Sequence, residues 1–398
     1  MVEKLSAARC RGFSFDSWAR MGQVAPFSMK ASLASSFDLA RCVSPGVAAQ
    51  PAYTPGEQPQ EAGWTKLNTN ENPFPPSPKV VAAIRAELGG TGNTLRLYPS
   101  PASSPLRAAA AKFHGVAEEN VLAGNGSDDV LNLLVRAFSC PENPAAMLEP
   151  SYSLYPVLAG LNTARMKKIP VSLEGEFSVD AVADSGAKLF FLTNPNAPLG
   201  IAFSPEQIAA VLERFPGVVV VDEAYAPFAD RDATGLLGAY PNLVISRTFS
   251  KAYALAGMRI GYALADAAVI AVLDRVRDSY NLDRLAQAAG VAALEDRAYY
   301  DDVIARIRAV RESTAKELRR RGWRVLPSQA NFLMAAPVSS AGASGPEIAA
   351  ACFAFLKTHK VLVRYFPNHP LTAPFLRISI GSAEEMQTFL NTIDAWAQ

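Results

Sequence analysis

One lysine on a polar loop has surroundings that could support covalent chemistry. Lys251 lies within Ser246–Gly261, directly after the apolar segment Asn242–Ile245, which we predict to be a short buried strand broken by the polar run that follows. In open α/β sheets, ligands bind at the carboxyl ends of strands. Because Lys251 is flanked by Ser250 and Ala252, we expect poor solvation of its amine, which favours the neutral, nucleophilic form.

A carboxylate upstream makes this lysine more informative. Asp222 ends the hydrophobic segment Gly217–Val221, and Tyr225 follows shortly after. Alone, Lys251 would be interpreted as a surface lysine, and Asp222 as a helix cap or loop carboxylate. Together they are the pair that pyridoxal phosphate (PLP) needs, because the aspartate keeps the pyridine nitrogen protonated and the ring can then accept electrons.

Two further features fit a phosphate group. Ser250 and Arg259 place a hydroxyl and a fixed positive charge near Lys251. The glycine-containing turn 121–129 runs directly into the helical pattern 130–138, which leaves unpaired backbone N–H groups at the helix start. The turn therefore predicts a phosphate cradle, although Asn-Gly-Ser-Asp is also an ordinary turn with a helix cap.

Strand and helix patterns alternate through most of the chain. We predict strands at 145–149, 188–193 and 218–221, and helices at 80–88, 105–113, 152–161, 205–215, 267–277 and, with interruptions, 284–321. The C-terminal part adds strands at 324–326, 331–334, 361–364 and 376–380, and helices at 345–357 and from 383. This order predicts the α/β class, with a mostly parallel sheet between helices and a smaller α+β domain after it.

Composition excludes several classes of function. Of 398 residues, 49% are hydrophobic and 19% charged, which allows a large buried core. A net charge of +1 gives no electrostatic case for nucleic acid or a membrane surface. The four cysteines form no CxxC pair and the three histidines have no metal-binding spacing, so we expect no metal and a reducing, cytoplasmic compartment. No apolar run approaches the roughly 20 residues of a transmembrane helix.

Taken in order, several stretches of this chain resemble those of the fold-type-I PLP enzymes, and most closely the histidinol-phosphate aminotransferases, which are class II aminotransferases of histidine biosynthesis. The resemblance runs from about Pro51 to the C-terminus. The stretches that carry it are PAYTPGEQPQE, KLNTNENPFPP, LRLYPSP, GNGSDD, EPSYSLYP, TNPNAPLG, VVVVDEAY, RTFSKAYALAGMRIGYALA, SQANF, VLVRYFP and LRISIG.

The resemblance implies roles around the cofactor ring. Lys251 is expected to bond covalently to PLP and then to move the proton between the substrate carbon and the cofactor. Asp222 is expected to hold the ring nitrogen, and Tyr225 the phenolic oxygen. Tyr152, in EPSYSLYP, is expected to stack on the ring face.

The resemblance also implies how the cofactor phosphate is held. Ser127 and Asp128 would bind it through their backbone amides, with Ser250 and Arg259 adding side-chain contacts. Tyr98, in LRLYPSP, is expected to reach the phosphate in the neighbouring subunit, which implies a homodimer.

The substrate phosphate is expected to be clamped by Tyr53, Arg364 and Arg377, with Asn70 near the site. Several of the residues named so far have another interpretation. Tyr152, Tyr98 and Tyr53 could be core or interface aromatics. The two arginines alternate along predicted strands and could face solvent.

One position departs from the pattern of this family. Many relatives carry Asn-Pro-Thr-Gly where this chain has Ala197–Gly200, and the asparagine usually bonds the cofactor's phenolic oxygen. Ala197 cannot make that bond. Asn194 or Asn196 could replace it from the same loop, and we expect Asn196 to do so; otherwise Tyr225 would make the bond alone.

The resemblance implies a reversible transamination. Histidinol phosphate and 2-oxoglutarate stand on one side of the reaction, and imidazole-acetol phosphate and glutamate on the other. An aromatic amino-acid aminotransferase would share nearly all cofactor residues, and a PLP-dependent decarboxylase of a phosphorylated amino acid would share the scaffold. A PLP-fold transcription regulator would need a basic DNA-binding domain before Pro51, and the roughly 50 residues there are too few. A non-catalytic protein is disfavoured by the intact Lys251–Asp222 pair.

We predict four regions: an N-terminal extension at 1–50, poorly ordered, an arm at 51–74, a large PLP-binding domain at 75–285 and a small C-terminal domain at 286–398. Acidic residues and the lack of a continuous apolar segment argue against a transit or signal peptide in the extension. We expect Met29 to be the true start, followed by a short helix over 32–41.

Overall fold

The computed structural model describes residues 38–50 and 56–396. The chain divides into a segment that ends at Ala48 and a unit that begins at Ala49. The described part of the first segment holds two short helices, α1 (Leu39–Cys42) and α2 (Pro45–Ala48). Helix α1 overlaps the end of the helix predicted over 32–41; the rest of that helix and the predicted start at Met29 lie outside the described residues.

The strands and helices of the larger unit follow the predicted alternation. Its strands are β1 (Thr65–Lys66), β2 (Val121–Gly124), β3 (Ala145–Glu149), β4 (Met166–Pro170), β5 (Leu189–Thr193), β6 (Val218–Asp222), β7 (Leu243–Thr248), β8 (Gly261–Ala265), β9 (Arg324–Val325), β10 (Phe332–Ala336), β11 (Val361–Leu362), β12 (Arg364–Tyr365) and β13 (Leu376–Ser379). Its α-helices are α3 (Pro78–Leu88), α4 (Ser104–His114), α5 (Ser127–Phe138), α6 (Leu154–Leu161), α7 (Val179–Ala183), α8 (Pro205–Arg214), α9 (Ala267–Val276), α10 (Arg284–Glu295), α11 (Arg297–Arg320), α12 (Pro346–Thr358) and α13 (Ala383–Trp396).

The central sheet has the strand order β2-β8-β7-β6-β5-β3-β4. Strands β7, β6, β5, β3 and β4 pair in parallel, whereas β8 is antiparallel to both of its neighbours. The prediction of a mostly parallel sheet is therefore confirmed. Strand β8 reverses because the loop after β7 contains no crossover α-helix, so the chain returns directly beside the strand it has just left.

Side chains of the central strands are buried on both faces of the sheet. In β5, Phe190 and Leu192 join one hydrophobic cluster, while Leu189 and Phe191 join the other. Helices α5, α6 and α9 cover the second cluster, and α4, α8 and α11 contribute to the first. This alternation explains why the strand sequences are continuously apolar rather than half polar.

The polar run after Ile245 does not break the strand, contrary to prediction. Strand β7 continues to Thr248 because β8 pairs with it as far as Thr248 and Gly261. Arg247 stays buried in the strand by pairing with Glu223 at 2.5 Å and with Asp232 at 2.9 Å. The loop that carries Lys251 therefore starts later and closer to the sheet edge.

The C-terminal part forms an antiparallel sheet of order β12-β13-β10-β9, packed by α11, α12 and α13. The predicted strand over 361–364 is split, since β11 pairs in parallel with β1 while β12 pairs with β13. The segment that begins with β1 is thereby fixed beside this smaller sheet. Within residues 38–50 and 56–396, none of the helices combines the length and the apolar character that a transmembrane span requires.

Candidate active site

A cavity of about 340 Å³ opens where β5, β6 and β7 end. Residues of the smaller sheet and of the segment after β1 complete its wall. The residues predicted from the sequence that line this cavity are Asn70, Ser127, Asp128, Tyr152, Asp222, Tyr225, Ser250, Lys251, Arg259, Arg364 and Arg377.

Lys251 is half-buried on the loop after β7, and its Nζ donates to the backbone oxygen of Thr69 at 3.0 Å. Burial lowers the pKa of Lys251 to about 8, and the positive charge of Arg377 adds to the lowering. The carboxylate of Glu71 acts in the opposite direction. A lysine with this pKa is neutral in an appreciable fraction near neutral pH, as nucleophilic and proton-transfer chemistry require.

Asp222, the last residue of β6, is only 2% exposed. Its Oδ2 accepts a hydrogen bond from the Tyr155 hydroxyl at 2.7 Å, and its Oδ1 accepts one from the Ala224 N–H at 3.2 Å. Burial raises the pKa of Asp222 to about 6, while both hydrogen bonds act to lower it. The carboxyl is therefore ionised above this pH and keeps lone pairs for a cationic partner in the cavity.

Tyr225 and Asn70 form a buried pair on another side of the cavity. The Asn70 Nδ2 donates to the Tyr225 hydroxyl oxygen at 2.9 Å. Asn70 has a left-handed backbone, with φ of 56°, and Ser379 and Asn331 hold its amide group and carbonyl oxygen. Because the Tyr225 oxygen accepts from Asn70, its own O–H can be donated into the cavity.

The N-terminus of α5 packs closely against Gly261, the first residue of β8. A Cβ on Gly261 would stand 2.4 Å from the Ser127 nitrogen, and a Cβ on Gly126, where φ is +88°, would stand 2.7 Å from Arg259 Nη2. Only glycine permits both approaches. The first N–H groups of α5, which have no partner inside the helix, therefore lie beside a guanidinium.

Arg259 also contacts two other residues predicted for the phosphate site. Its Nη1 donates to Ser250 Oγ at 3.3 Å, and its Nη2 lies 3.4 Å from Asp128 Oδ2. The hydroxyl of Tyr152 reaches the other oxygen of Asp128, at 3.2 Å. A helix start, a hydroxyl and a guanidinium in one corner are the donor set that suits a phosphate dianion.

The smaller sheet contributes two arginines to the opposite wall. Arg364 and Arg377 are direct cross-strand partners in β12 and β13. The Phe366 ring lies beside both guanidiniums, with its centroid 5.6 Å from Arg364 Cζ and 5.2 Å from Arg377 Cζ. Arg377 also lies over Phe332 and donates to the Asn68 carbonyl oxygen at 2.9 Å. Both arginines are half-buried and line the cavity, so the alternative interpretation, in which they face solvent, is not supported.

Two predicted residues, Asn196 and Tyr98, do not line this cavity. The side chain of Asn196 is fully buried and bonds the backbone of Pro150 and Leu199, and the loop lines the cavity with Ala197 instead. The prediction for Asn196 is therefore wrong in this geometry, because its amide is used to hold the loop. Tyr98 is 77% exposed and lies away from the cavity wall. Tyr53 lies outside the described residues.

The sequence analysis missed Tyr155, which donates a hydrogen bond to Asp222, and Asn72, which bonds the backbone of Lys251. Tyr155 is buried, its ring stacks on Phe191 with centroids 4.5 Å apart, and its hydroxyl contacts Asp222. The available signal was a second tyrosine, three residues after Tyr152, in an otherwise apolar helix. Asn72 was also missed; its amide donates to the backbone oxygen of Lys251 at 3.2 Å.

The residues present fit PLP. The corner formed by α5, Ser250 and Arg259 suits its phosphate, Asp222 suits its ring nitrogen and Lys251 suits its aldehyde. Among the described residues, no cluster of histidine, cysteine or acidic side chains could hold a metal ion.

Comparison with known proteins agrees with this site. Residues 62–393 match the family described as aminotransferase class I and II. The chain is 48% identical over 345 residues to the histidinol-phosphate aminotransferase of Geobacter sulfurreducens, covering 86% of this chain and 96% of that relative. It is 44% identical over 351 residues to the enzyme of the same name from Synechocystis sp., covering 88% and 97%.

A solved structure is similar over most of the chain. The histidinol-phosphate aminotransferase from Sinorhizobium meliloti in complex with pyridoxal-5'-phosphate gives a TM-score of 0.75 at 28% identity and covers 83% of this chain and 91% of its own. The L-threonine-O-3-phosphate decarboxylase from Porphyromonas gingivalis, at 22% identity and a TM-score of 0.69, shares the fold alone. This chain is thus a PLP-dependent enzyme that belongs to the class I and II aminotransferases, and within them to the histidinol-phosphate aminotransferase family.

Proposed function

We propose that this enzyme transfers the amino group of histidinol phosphate to 2-oxoglutarate, and that it also catalyses the reverse reaction from glutamate and imidazole-acetol phosphate. The observation that supports this choice is the pair Arg364 and Arg377, placed opposite each other on β12 and β13 in the cavity wall. A guanidinium fork fits either a phosphate or a carboxylate. Two forks beside one another suit a phosphate-bearing substrate better than a single carboxylate.

Bound PLP would supply an electron sink for the carbanion that forms when the substrate loses its Cα proton. We assign the transfer of this proton to the side-chain amine of Lys251. This amine is half-buried, has a lowered pKa and is held by the Thr69 carbonyl oxygen. An ionised Asp222 carboxylate would hold the ring nitrogen. Tyr225, oriented by the hydrogen bond from Asn70, would donate to the phenolic oxygen.

The side chain of Ala197 has no group that could donate a hydrogen bond to the phenolic oxygen, so Tyr225 remains as the donor from this part of the cavity wall. Asn194 and Asn196 both use their amides on backbone groups of their own loop and its neighbours. We therefore propose that Tyr225, oriented by Asn70, carries this hydrogen bond alone. A Tyr225→Phe variant should shift the absorption maximum of the bound cofactor more than Asn196→Ala does.

The amino donor and acceptor use the same wall in turn. Arg377 is the residue we assign to both substrates, since its guanidinium is held between Phe332 and Phe366 and bonded to the Asn68 carbonyl. Arg364 adds the second positive charge that a phosphate exploits. Tyr53 is proposed as a further phosphate contact, to be tested by comparing Tyr53→Phe with wild type on phosphorylated and unphosphorylated amino donors.

The substrate assignment is tested by comparing kcat/KM for histidinol phosphate and for phenylalanine, with 2-oxoglutarate as the acceptor. We expect histidinol phosphate to be preferred. A preference for phenylalanine would indicate an aromatic aminotransferase. Release of CO₂ from a phosphorylated amino acid without any need for 2-oxoglutarate would indicate a decarboxylase.

A homodimer is supported by an exposed aromatic and aliphatic surface that includes Tyr98. Its residues are Leu95 and Leu97, both 52% exposed, Tyr98, and Tyr280, which stacks on Tyr98 with ring centroids 4.5 Å apart. Large apolar side chains exposed together mark an association surface. We propose that two chains pair through this surface and that Tyr98 of each reaches the phosphate corner of the other.

Mixing two weakly active variants tests that arrangement. A dimer of one Tyr98→Ala chain and one Lys251→Ala chain has one intact site only if Tyr98 acts across the interface. Random exchange of equal amounts should then restore about a quarter of wild-type activity. No recovery, with heterodimers present by mass spectrometry, would place Tyr98 in its own site or outside any site.

We also propose that the large domain spans 75–285 and the small domain 286–398, with 51–74 as an N-terminal arm that precedes both, and that the enzyme works in the cytoplasm. The arm assignment is supported by β1, which pairs with β11, and by Thr69, which contacts Lys251. Limited proteolysis with mass spectrometry tests the boundaries, and we expect the first cuts near 75 and in the exposed residues 278–280 that precede α10.

A further inference from the structure

A chain of hydroxyl groups runs from the cavity wall to the back of Asp222. Ser151 Oγ lies 2.9 Å from Thr193 Oγ1, which lies 2.6 Å from the Tyr155 hydroxyl. The Tyr155 hydroxyl in turn lies 2.7 Å from Asp222 Oδ2. Ser151 and Thr193 line the cavity, whereas Tyr155 is fully buried.

The proton positions in this chain follow from the donors available. An ionised carboxylate only accepts, so the Tyr155 O–H must point at Asp222. Thr193 must then donate to the Tyr155 oxygen, and Ser151 to the Thr193 oxygen. Burial raises the pKa of Tyr155 well above its ordinary value, which keeps it a donor. All three hydroxyls therefore point one way as long as Asp222 is charged.

The surroundings of Asp222 otherwise favour its neutral form. Burial raises its pKa, and the nearby charge of Asp128 on α5 raises it further. The Tyr155 hydroxyl, from α6, and the Ala224 N–H are the hydrogen bonds that oppose this rise. Tyr225, the other titratable group facing Asp222, has its own pKa raised by burial and stays neutral.

We propose that Tyr155, oriented by Thr193 and Ser151, is a positioning residue that keeps Asp222 ionised and aimed at the cofactor's ring nitrogen. This inference rests on the proposed pairing of Asp222 with that nitrogen. Aligned hydroxyl groups polarise one another, so the last donor in the chain is stronger than an isolated tyrosine. The tyrosine ring stacks on Phe191, which helps to keep the hydroxyl oxygen beside the carboxylate.

The test is the pH dependence of PLP binding to Tyr155→Phe, measured from the absorbance of the bound cofactor. Without the hydroxyl, Asp222 should protonate at a higher pH, so the acid limit of PLP binding should rise by about one pH unit. At about pH 6 the variant should bind PLP roughly tenfold more weakly, and at about pH 9, where Asp222 is ionised in both proteins, nearly as well as wild type.

Tyr262→Phe is the matched control. Tyr262 is a buried tyrosine in β8 of the same sheet, and its hydroxyl contacts His114 Nε2 at 2.8 Å instead of Asp222. Loss of this hydroxyl should leave the acid limit where it is in wild type. If Tyr155→Phe weakens PLP binding equally at both pH values, or leaves the acid limit unmoved, the proposal is overturned.

Thr193 provides a second test that does not depend on Tyr155→Phe folding. Thr193→Val removes the donor to Tyr155 but keeps the shape, whereas Thr193→Ser keeps the hydroxyl. The valine variant should move the acid limit upward by less than Tyr155→Phe does, and the serine variant should restore it. Identical behaviour of the two would also overturn the proposal.

Failure of this inference and failure of the proposed function give different results. If the wild-type chain shows no Lys251-dependent cofactor absorbance, the proposed function is wrong. If wild type binds PLP through Lys251 and the Tyr155 variant titrates as wild type does, only the hydroxyl chain is wrong.

Discussion

The two walls of the cavity are built in different ways. The cofactor wall comes from the ends of parallel strands, where Asp222 is 2% exposed and held by a buried tyrosine and a backbone N–H. The substrate wall comes from β12 and β13, short antiparallel strands whose Arg364 and Arg377 are half-buried. We propose that the groups fixed by the rigid central sheet perform the chemistry common to all substrates, and that the shorter strands determine the choice of substrate.

The difference also has an energetic side. A charge inside the protein must be matched closely, because an unpaired one costs several kcal/mol. A half-exposed guanidinium is partly solvated, so its loss changes binding without unfolding the protein. We therefore expect changes to the cofactor wall to affect every substrate, and changes to the substrate wall to affect them selectively.

The largest expected effect is at Asp222. Asp222→Asn keeps the shape but removes the charge that we propose faces the ring nitrogen, and both half-reactions should slow by about 10²–10³-fold, equivalent to about 2.7–4.1 kcal/mol. Single-turnover rates with glutamate and with histidinol phosphate measure this. A loss confined to one substrate would contradict the division into two walls.

Arg364 should show the selective behaviour. Arg364→Ala is expected to lower kcat/KM for histidinol phosphate about 30-fold, equivalent to about 2 kcal/mol, which is at the low end for a lost charge partner because the side chain is half-exposed. The rate with glutamate should change little. Arg324→Ala is the control, since Arg324 lies on β9 of the same sheet over Phe375 but not in the cavity.

Phe366 should have a smaller effect on the same substrate. Its ring lies beside both guanidiniums, and Phe366→Leu keeps a large apolar side chain while removing the ring face. We expect KM for histidinol phosphate to rise about 2- to 5-fold, equivalent to about 0.5–1 kcal/mol, the contribution of a cation–π contact at a partly exposed site, with kcat nearly unchanged. A fall in kcat with an unchanged KM would instead link this ring to the chemistry.

The smallest expected effect is on the pH dependence of Lys251. Its pKa of about 8 lies below the ordinary lysine value because of burial, so capture of PLP should accelerate as pH rises through about 8 and the amine loses its proton. Glu71 favours the charged form of Lys251, so Glu71→Gln should move this rise to lower pH, by less than one unit. Stopped-flow binding of PLP across pH measures both, and a shift to higher pH would reverse the assigned sign.

The sequence was more informative about the residues of the cofactor wall than about strands β8 and β4 of the central sheet. Asp222 ends the otherwise apolar strand β6, and Lys251 follows β7, whose first three residues are apolar, so their placement at one sheet edge could be inferred locally. Strand β8 could not, because its reversal depends on pairing with β2 and β7 rather than on its own pattern. Edge strand β4 was missed because two exposed lysines interrupt its apolar pattern, as is common at sheet edges.

The direction of individual side chains was the harder part to predict. Asn196 lies on the expected loop, but hydrogen bonds to Pro150 and Leu199 turn its amide away from the cavity. Tyr155 was missed because its partner, Asp222, is distant in sequence. Such partnerships arise from the packing of α6 on the sheet, and no local spacing specifies them.

The most direct measurement of the central claim is the site of covalent attachment of PLP. The protein is incubated with PLP, the bond is reduced with borohydride, and the modified peptide is identified by mass spectrometry. We predict a single modified residue, Lys251, and loss of both the label and the activity in Lys251→Ala, but not in Lys79→Ala, whose lysine is exposed. A label on Lys66 or another lysine, with full activity retained in Lys251→Ala, would contradict the account.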